Sequence, residues 1–117
     1  MEMEIYGDGE QIMDMIHVED VATVLVDTFN GLTKGLVFPE VIEAGSGQRT
    51  TVNMIAEEVM KATGFGGIKY LPMRPGEPEQ AEVVASSPAK KDLISLKDGV
   101  YSTVDWYREN WLPTWSG

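Results

Sequence analysis

The chain has 117 residues, enough for one small domain with a real core, and its 43% hydrophobic content excludes compositional disorder. A net charge of −10 argues against nucleic-acid and anionic-membrane partners, and the absence of cysteine excludes disulfides and cysteine metal sites. No apolar run reaches the roughly 18 residues of a membrane span and no signal peptide is visible, so we expect a cytoplasmic protein.

The N-terminal third is expected to form two strands and a helix. The strands lie on either side of a turn at 7–9, and the second strand, ending at Val18, is apolar on both faces, which predicts cover on both sides. Glu19 and Asp20 favour a helix start, and Gly35 suits its end. One apolar stripe is predicted along this helix, formed by Val18, Ala22, Leu25, Phe29 and Leu32.

The rest of the chain is expected to add short strands and three more helices. The predicted strands are 41–44, 68–71 and 81–85. The predicted helices are one capped by Thr50 or Thr51 and ended by Gly64, a short one from Ser87 to Leu93, and one opened by Ser95 and Asp98 and stopped by Pro113. These elements predict an α+β fold with about four helices, in a single domain over residues 1–117.

Side chains for nucleophilic or metal chemistry are scarce. The single histidine, His17, is interpreted as structural rather than catalytic, and neither a Gly-x-Ser-x-Gly elbow nor a set of metal ligands is present. The dinucleotide fingerprint also fails, because Thr50 stands where the third glycine would follow Gly45 and Gly47. We therefore expect no metal, and no NAD bound by this chain alone.

Anion recognition remains, and the chain has three arginines to supply it: Arg49, Arg74 and Arg108. Arg74 lies in the proline-stiffened loop 72–78, where its guanidinium suits either a diphosphate or a salt bridge. Arg49 precedes a helix N-terminus, which favours anions, although a solvated loop charge is the favoured interpretation.

Four motifs in order resemble one family over nearly the whole chain. IYGDGEQ followed by DMIHVEDVA, within 5–22, resembles the pattern GDGxQxRDFIxVxDVA of extended short-chain dehydrogenase/reductases. Residues 45–51 resemble its GSGxxxT, residues 70–77 its YxPxRPGE, and residues 103–107 its closing TVxWY. The chain thus resembles the NAD-dependent epimerase/dehydratase group of this family, many of whose members act on nucleotide sugars.

The resemblance covers only the C-terminal, substrate-binding part of that family. It implies that NAD binds on a preceding domain and that a Tyr-x-x-x-Lys pair performs proton transfer. No tyrosine here has lysine four positions later; those positions hold Glu10, Arg74, Asp105 and Trp111. The chain is therefore expected to be catalytically incomplete.

By resemblance, the substrate-binding residues are Arg74, Asp14, Arg49 and Glu77. Met13 replaces an arginine that the resemblance assigns to the ligand's phosphates, and losing one charge-assisted hydrogen bond weakens binding about 10- to 100-fold. The family's LGWxP segment is also absent before Ser95, which predicts altered packing of the C-terminal helices.

Three hypotheses follow. The chain is a lobe that retains weak binding of a nucleoside diphosphate or nucleotide sugar and self-associates, an oligomeric interaction module without a ligand, or a fragment of a complete enzyme. An exposed apolar face should then be covered by a second copy or by a partner chain. Methionine suits adaptable interfaces, and the candidates are Met1, Met3, Met13 and Met15.

Overall fold

The computed structural model describes residues 2–78 and 82–111, and this part of the chain forms three helices and five short strands. The strands are β1 (Glu2–Tyr6), β2 (Ile12–Met13), β3 (Thr50–Thr51), β4 (Gly67–Leu71) and β5 (Glu82–Val83). The helices are α1 (Val18–Thr33), α2 (Val52–Thr63) and α3 (Leu96–Asn110). The predicted α+β class is confirmed, with one helix fewer than expected.

The strands form two small sheets. β1 lies parallel to β4 with Ile5 opposite Tyr70, and Gly7 extends this ladder by donating its N–H to the carbonyl of Leu71 at 2.8 Å. β2 lies between an antiparallel β3 and a parallel β5. The turn at 7–9 therefore connects two sheets.

Two predicted strands differ from the structure. The strand expected to reach Val18 ends at Met13, because the carboxylate of Asp14 binds backbone N–H groups of the turn at 45–47. No strand forms at 41–44, since none of the described segments pairs with it there.

The short helix predicted at 87–93 is also absent, and the prediction was wrong for a physical reason. Backbone N–H groups in and beside this segment donate to distant acceptors instead of carbonyls four residues earlier. Ala89 donates to the carbonyl of Gly45 at 2.9 Å, and Ile94 donates to the carboxylate of Asp20 at 2.8 Å. These bonds tie an irregular connection to the rest of the lobe.

The helix ends follow the sequence signals. Thr51 caps α2 by accepting the N–H of Met54 at 3.1 Å, and Gly64 ends it with φ 78°. Ser95 caps α3 by accepting the N–H of Asp98. The predicted stop at Pro113, Ala81 of the last strand and Met1 lie outside the described residues.

Helix α1 turns its small and polar side inward. Its buried residues are Asp20, Val24 and Gly31, whereas the predicted apolar stripe faces outward. Val18 is 74% exposed and Phe29 is 65% exposed. Within the described ranges, no helix has the length and apolar character to cross a membrane.

Helices α2 and α3 pack against each other, with Ala56 and Ala62 of α2 buried. Arg108 of α3 donates from Nη2 to the carbonyl of Ala62 at 3.0 Å, which satisfies a carbonyl near the end of α2. Val52, at the start of α2, borders the candidate site described below.

Candidate functional site

The loop 72–78 holds Arg74 in a defined position. The N–H of Glu77 donates to the carbonyl of Arg74 at 3.2 Å, and the two side chains form an ion pair at 2.9 Å. The guanidinium also lies over the ring of Tyr6, 4.6 Å from its centroid, as a cation–π contact. Arg74 is therefore preorganised although its side chain is largely exposed.

A cleft of about 430 Å³ opens beside this guanidinium. It lies between β1, the start of α2 and the loop 72–78, and Met13 reaches it from β2. Its lining consists of Glu4, Ile5, Tyr6, Gln11, Met13, Val52, Met73, Arg74, Glu77 and Pro78. The structure thus brings together Arg74, Glu77 and the methionine that replaces the family arginine.

The described lining of this cleft has one more acid than cation. Its cation is Arg74, and its acids are Glu4 and Glu77. Since Glu77 already pairs with Arg74, an entering phosphate has to compete with a carboxylate for the guanidinium. The ion pair with Glu77 therefore occupies part of the hydrogen-bonding capacity of the Arg74 guanidinium.

Asp14 lies outside the cleft lining and holds the fold together. Its Oδ1 accepts the N–H and the hydroxyl of Ser46, at 2.7 and 2.6 Å. Its Oδ2 accepts the N–H groups of Gly47 and Ala85, at 2.9 and 3.0 Å. Four internal donors therefore surround this carboxylate.

The same contacts determine the charge of Asp14. Partial burial acts to raise its pKa, but the bonds from the Ser46 hydroxyl and from the N–H groups of Ser46, Gly47 and Ala85 outweigh burial and lower the pKa to about 2. The carboxylate is therefore ionised at neutral pH, and it joins the turn at 45–47 and the segment after β5 to the residue that follows β2.

Arg49 is placed apart from Arg74. It forms an ion pair with Glu82 on an exposed surface, and it does not line the Arg74 cleft. Among the four residues predicted by resemblance, the structure brings only Arg74 and Glu77 into one cleft.

The methionine candidates do not share one cavity. Met3 is half-buried in β1, Met13 lines the Arg74 cleft, and Met15 is 40% exposed. Met15 lines a second, apolar cavity of about 350 Å³ between the start of α1 and the helices α2 and α3. This cavity also borders Ser95, which follows the point where the LGWxP segment is missing.

His17 at the edge of the second cavity caps α1. Its Nδ1 accepts the N–H of Glu19 at 3.0 Å, and its Nε2 lies 3.4 Å from the hydroxyl of Ser102. The first bond gives the ring a local structural role at the start of α1. The structural interpretation of His17 agrees with this geometry.

Replacing His17 with alanine is expected to lower the free energy of unfolding by about 1 kcal/mol, which is the usual contribution of a side-chain helix cap. Urea denaturation followed by circular dichroism measures it. His17→Asn retains an acceptor and should recover most of the loss. A loss above about 3 kcal/mol in the alanine variant would contradict a capping role alone.

The cation–π contact of Tyr6 with Arg74 was not predicted. The two residues are far apart in the sequence, and neither periodicity nor a turn signal connects them. The parallel register of β1 and β4, which sets Tyr6 opposite Leu71, brings Tyr6 beside the loop that follows β4. A prediction that β1 pairs with β4 in parallel could have indicated this contact.

A scan against protein-family models finds no match. Sequence comparison finds relatives, among them GDP-L-fucose synthase 1 of Arabidopsis thaliana, 29% identical over 116 residues. The match covers 93% of this chain and 34% of that relative.

Solved structures give the same picture. An NAD-dependent NDP-hexosamine 5,6-dehydratase involved in tunicamycin biosynthesis matches 96% of this chain and 36% of its own chain, with a TM-score of 0.75; at 24% identity this shows the fold alone. UDP-glucuronic acid 4-epimerase from Bacillus cereus, in complex with UDP-glucuronic acid and NAD, matches with a TM-score of 0.69 and 26% identity, over 92% of this chain and 35% of that one.

The fold and the sequence relatives define a partial-length relative of the extended short-chain dehydrogenase/reductases. More particularly, the chain is related to their nucleotide-sugar epimerases and dehydratases, which confirms the predicted resemblance. It spans about a third of the length of the curated relatives it matches.

Proposed function

We propose that this chain is a binding lobe that holds the diphosphate of a nucleotide or nucleotide sugar weakly in the Arg74 cleft and performs no catalysis alone. One observation carries the proposal: Arg74 is held by Glu77 and Tyr6 at the edge of a cleft that Met13 also lines. A guanidinium fixed in this way forms paired, charge-assisted hydrogen bonds with phosphate oxygens.

The names of the relatives support this ligand class. GDP, UDP and an unspecified NDP all occur in them, so the diphosphate is the shared chemistry while the base varies. We propose the diphosphate as the recognised group for this reason, and we assign no base.

The turn at 45–47 supports the proposal that this chain binds no NAD alone. A dinucleotide needs free backbone N–H groups in a glycine turn before a helix. In the turn at 45–47, the N–H groups of Ser46 and Gly47 donate to Asp14, so they are already bonded within the chain. We propose that any NAD associated with this lobe binds on another polypeptide segment.

Replacing Arg74 with glutamine is expected to weaken UDP binding about 10-fold, because a hydrogen bond to a charged group is worth about 1.5–3 kcal/mol. We expect a Kd on the order of 1 mM for the unchanged chain. Isothermal titration calorimetry with UDP, GDP and TDP measures both values.

Two further variants test whether UDP binds in the Arg74 cleft. Arg49→Gln removes the same charge outside the cleft and should leave binding unchanged. Glu77→Gln removes the competing carboxylate and should tighten binding up to about fivefold, since an exposed ion pair contributes at most about 1 kcal/mol. The proposal would be overturned if the unchanged chain showed no binding of UDP, GDP or TDP. Equal losses of affinity in Arg74→Gln and Arg49→Gln would also overturn it.

A second candidate function is assembly without a ligand. The outward stripe of α1 favours it, because contiguous exposed apolar surface of this kind marks interaction sites. On this proposal the chain self-associates and binds no ligand, although it is homologous to nucleotide-sugar enzymes.

A further inference from the structure

Gln11 carries a hydrogen-bond acceptor that no described residue uses. Its Oε1 atom is buried and has no hydrogen-bond partner among the described residues. The side chain lines the Arg74 cleft, as does that of Met13 two residues later. Most buried polar side-chain atoms in folded proteins have a partner, so this oxygen requires a specific explanation.

The orientation of the Gln11 amide is fixed by its nitrogen. Nε2 donates to the carbonyl of Tyr6 at 2.8 Å, and exchanging the amide oxygen for the nitrogen would set two acceptors against each other. The backbone carbonyl of Gln11 in turn accepts the N–H of Val52 at 3.3 Å. The residue is therefore held by its backbone and by its amide nitrogen, and Oε1 is the acceptor that remains.

Met73 is a neighbour of this amide and can move. A Cβ atom at Gly7 would lie 2.8 Å from the methyl group of Met73 and 3.2 Å from Nε2 of Gln11, so these two groups lie close together. Met73 also lines the Arg74 cleft, and a methionine side chain has three rotatable bonds. A change of its rotamer alters access to the amide at little cost in free energy.

The Arg74 guanidinium and the Gln11 oxygen require different chemistry from one ligand. The guanidinium donates hydrogen bonds to phosphate oxygens, whereas Oε1 only accepts and cannot bind an ionised phosphate. It needs an N–H or O–H donor. A nucleoside diphosphate carries such donors on its ribose and its base, next to the anionic diphosphate.

We propose that Oε1 of Gln11 recognises the nucleoside part of the ligand by accepting a hydrogen bond from a ribose hydroxyl or from an N–H group of the base. A rotamer change of Met73 gives the ligand access to this oxygen. The inference rests on the proposed binding of a diphosphate to Arg74, and it adds a specificity-determining residue to that site. Because the amide is neutral, it recognises the ligand without adding a third negative charge beside Glu4 and Glu77.

Replacing Gln11 with methionine removes the acceptor and keeps a side chain of similar length. This variant is expected to bind UDP about fivefold more weakly, which corresponds to one neutral hydrogen bond. Methyl diphosphate has no nucleoside donor and should bind the variant and the unchanged chain equally. Titrations followed by NMR measure the dissociation constants. Gln48→Met is the matched control, since Gln48 is exposed and outside the cleft lining, and it should leave UDP binding unchanged.

Two analogues of UDP identify the donor. 2′,3′-Dideoxy-UDP lacks both ribose hydroxyls, and 3-methyl-UDP lacks the N–H group of the base. The analogue without the relevant donor should bind the unchanged chain about fivefold more weakly than UDP, and Gln11→Met should weaken its binding no further. The measurements on the unchanged chain test the inference even if Gln11→Met does not fold.

The outcomes separate this inference from the proposed diphosphate site. Equal UDP affinity in Gln11→Met and the unchanged chain would overturn the inference and leave the Arg74 result standing. The inference would also be overturned if Gln11→Met lost equal affinity for UDP and methyl diphosphate, because Gln11 would then only shape the cleft. Both analogues binding as tightly as UDP would have the same consequence. If UDP does not bind, or if Arg74→Gln binds it as well as the unchanged chain does, the diphosphate site and the inference both fail.

Discussion

Replacing Asp14 with alanine is expected to lower the free energy of unfolding by about 3 kcal/mol, because four donors lose one charged acceptor. The donors belong to Ser46, Gly47 and Ala85, so the variant loosens the turn before α2 and the segment after β5 together. Urea denaturation at neutral pH measures the change.

Controls separate the charge of Asp14 from its volume. Asp14→Asn keeps the shape but turns one acceptor into a donor that faces other donors, so we expect roughly half the loss or more. Asp27→Asn removes an exposed acid of α1 and should change stability by less than about 0.5 kcal/mol. Equal losses of unfolding free energy in Asp14→Asn and Asp27→Asn would contradict the stabilising role of the Asp14 carboxylate.

The pH dependence has a definite sign. The pKa of Asp14 is lowered from 3.8 to about 2 in the folded chain, so its stabilising contribution is present above pH 3.8 and is lost as the pH falls through about 2. The unchanged chain should therefore lose stability over this interval more steeply than Asp14→Asn. If the stability of the unchanged chain and of Asp14→Asn fell in parallel with decreasing pH, the pKa of Asp14 would not be lowered in the folded chain.

Local features of the fold were predictable from the sequence. The cap by Thr51, the left-handed Gly64 and the cap by Ser95 each depend on residues within one helical turn. The strand β4 also follows from a short β-favouring run next to a turn. Nothing distant in the chain competes with these signals.

Features that depend on distant partners were not predictable. The segment 87–93 carries helix signals, but Asp20 and the carbonyl of Gly45 take N–H groups in or next to it. The outward direction of the apolar stripe on helix α1 likewise depends on Asp20 being anchored by residues some seventy positions later. Periodicity identifies a stripe without saying what covers it.

The candidate site was likewise predictable from the sequence only in part. Motif resemblance identified Arg74, Glu77 and Met13, and the structure brings these three into one cleft. Resemblance also suggested Asp14 and Arg49 as ligand residues, whereas the first clasps the backbone and the second pairs with Glu82. Short motifs suggest candidate ligand residues, but they do not show which internal hydrogen bonds and ion pairs those residues also form.

Replacing Met13 with arginine is expected to tighten UDP binding about 10- to 100-fold, because a second guanidinium would enter the cleft beside Arg74. Met13 is half-buried in β2, so the alkyl part of the new side chain can occupy the methionine's place while its head reaches the cleft. Calorimetry with UDP, repeated in the Arg74→Gln background, measures the gain and its dependence on Arg74.

Met15→Arg is the matched control, since it adds the same charge two residues away and outside the cleft. It should leave UDP affinity unchanged. Equal gains in both variants would mean that reduced net repulsion, rather than a placed guanidinium, increases binding.

Sedimentation of Met13→Arg and Phe29→Asp separates the two candidate interfaces. If the methionines formed the contact between copies, Met13→Arg would move the chain towards monomer. If the outward stripe of α1 forms the contact in a self-associated chain, Met13→Arg should leave the association intact while Phe29→Asp weakens it, because Met13 lines the Arg74 cleft and Phe29 lies on the outward side of α1. Anion affinity and self-association would then respond to different residues, as expected if the lobe binds its ligand and its second copy on separate surfaces.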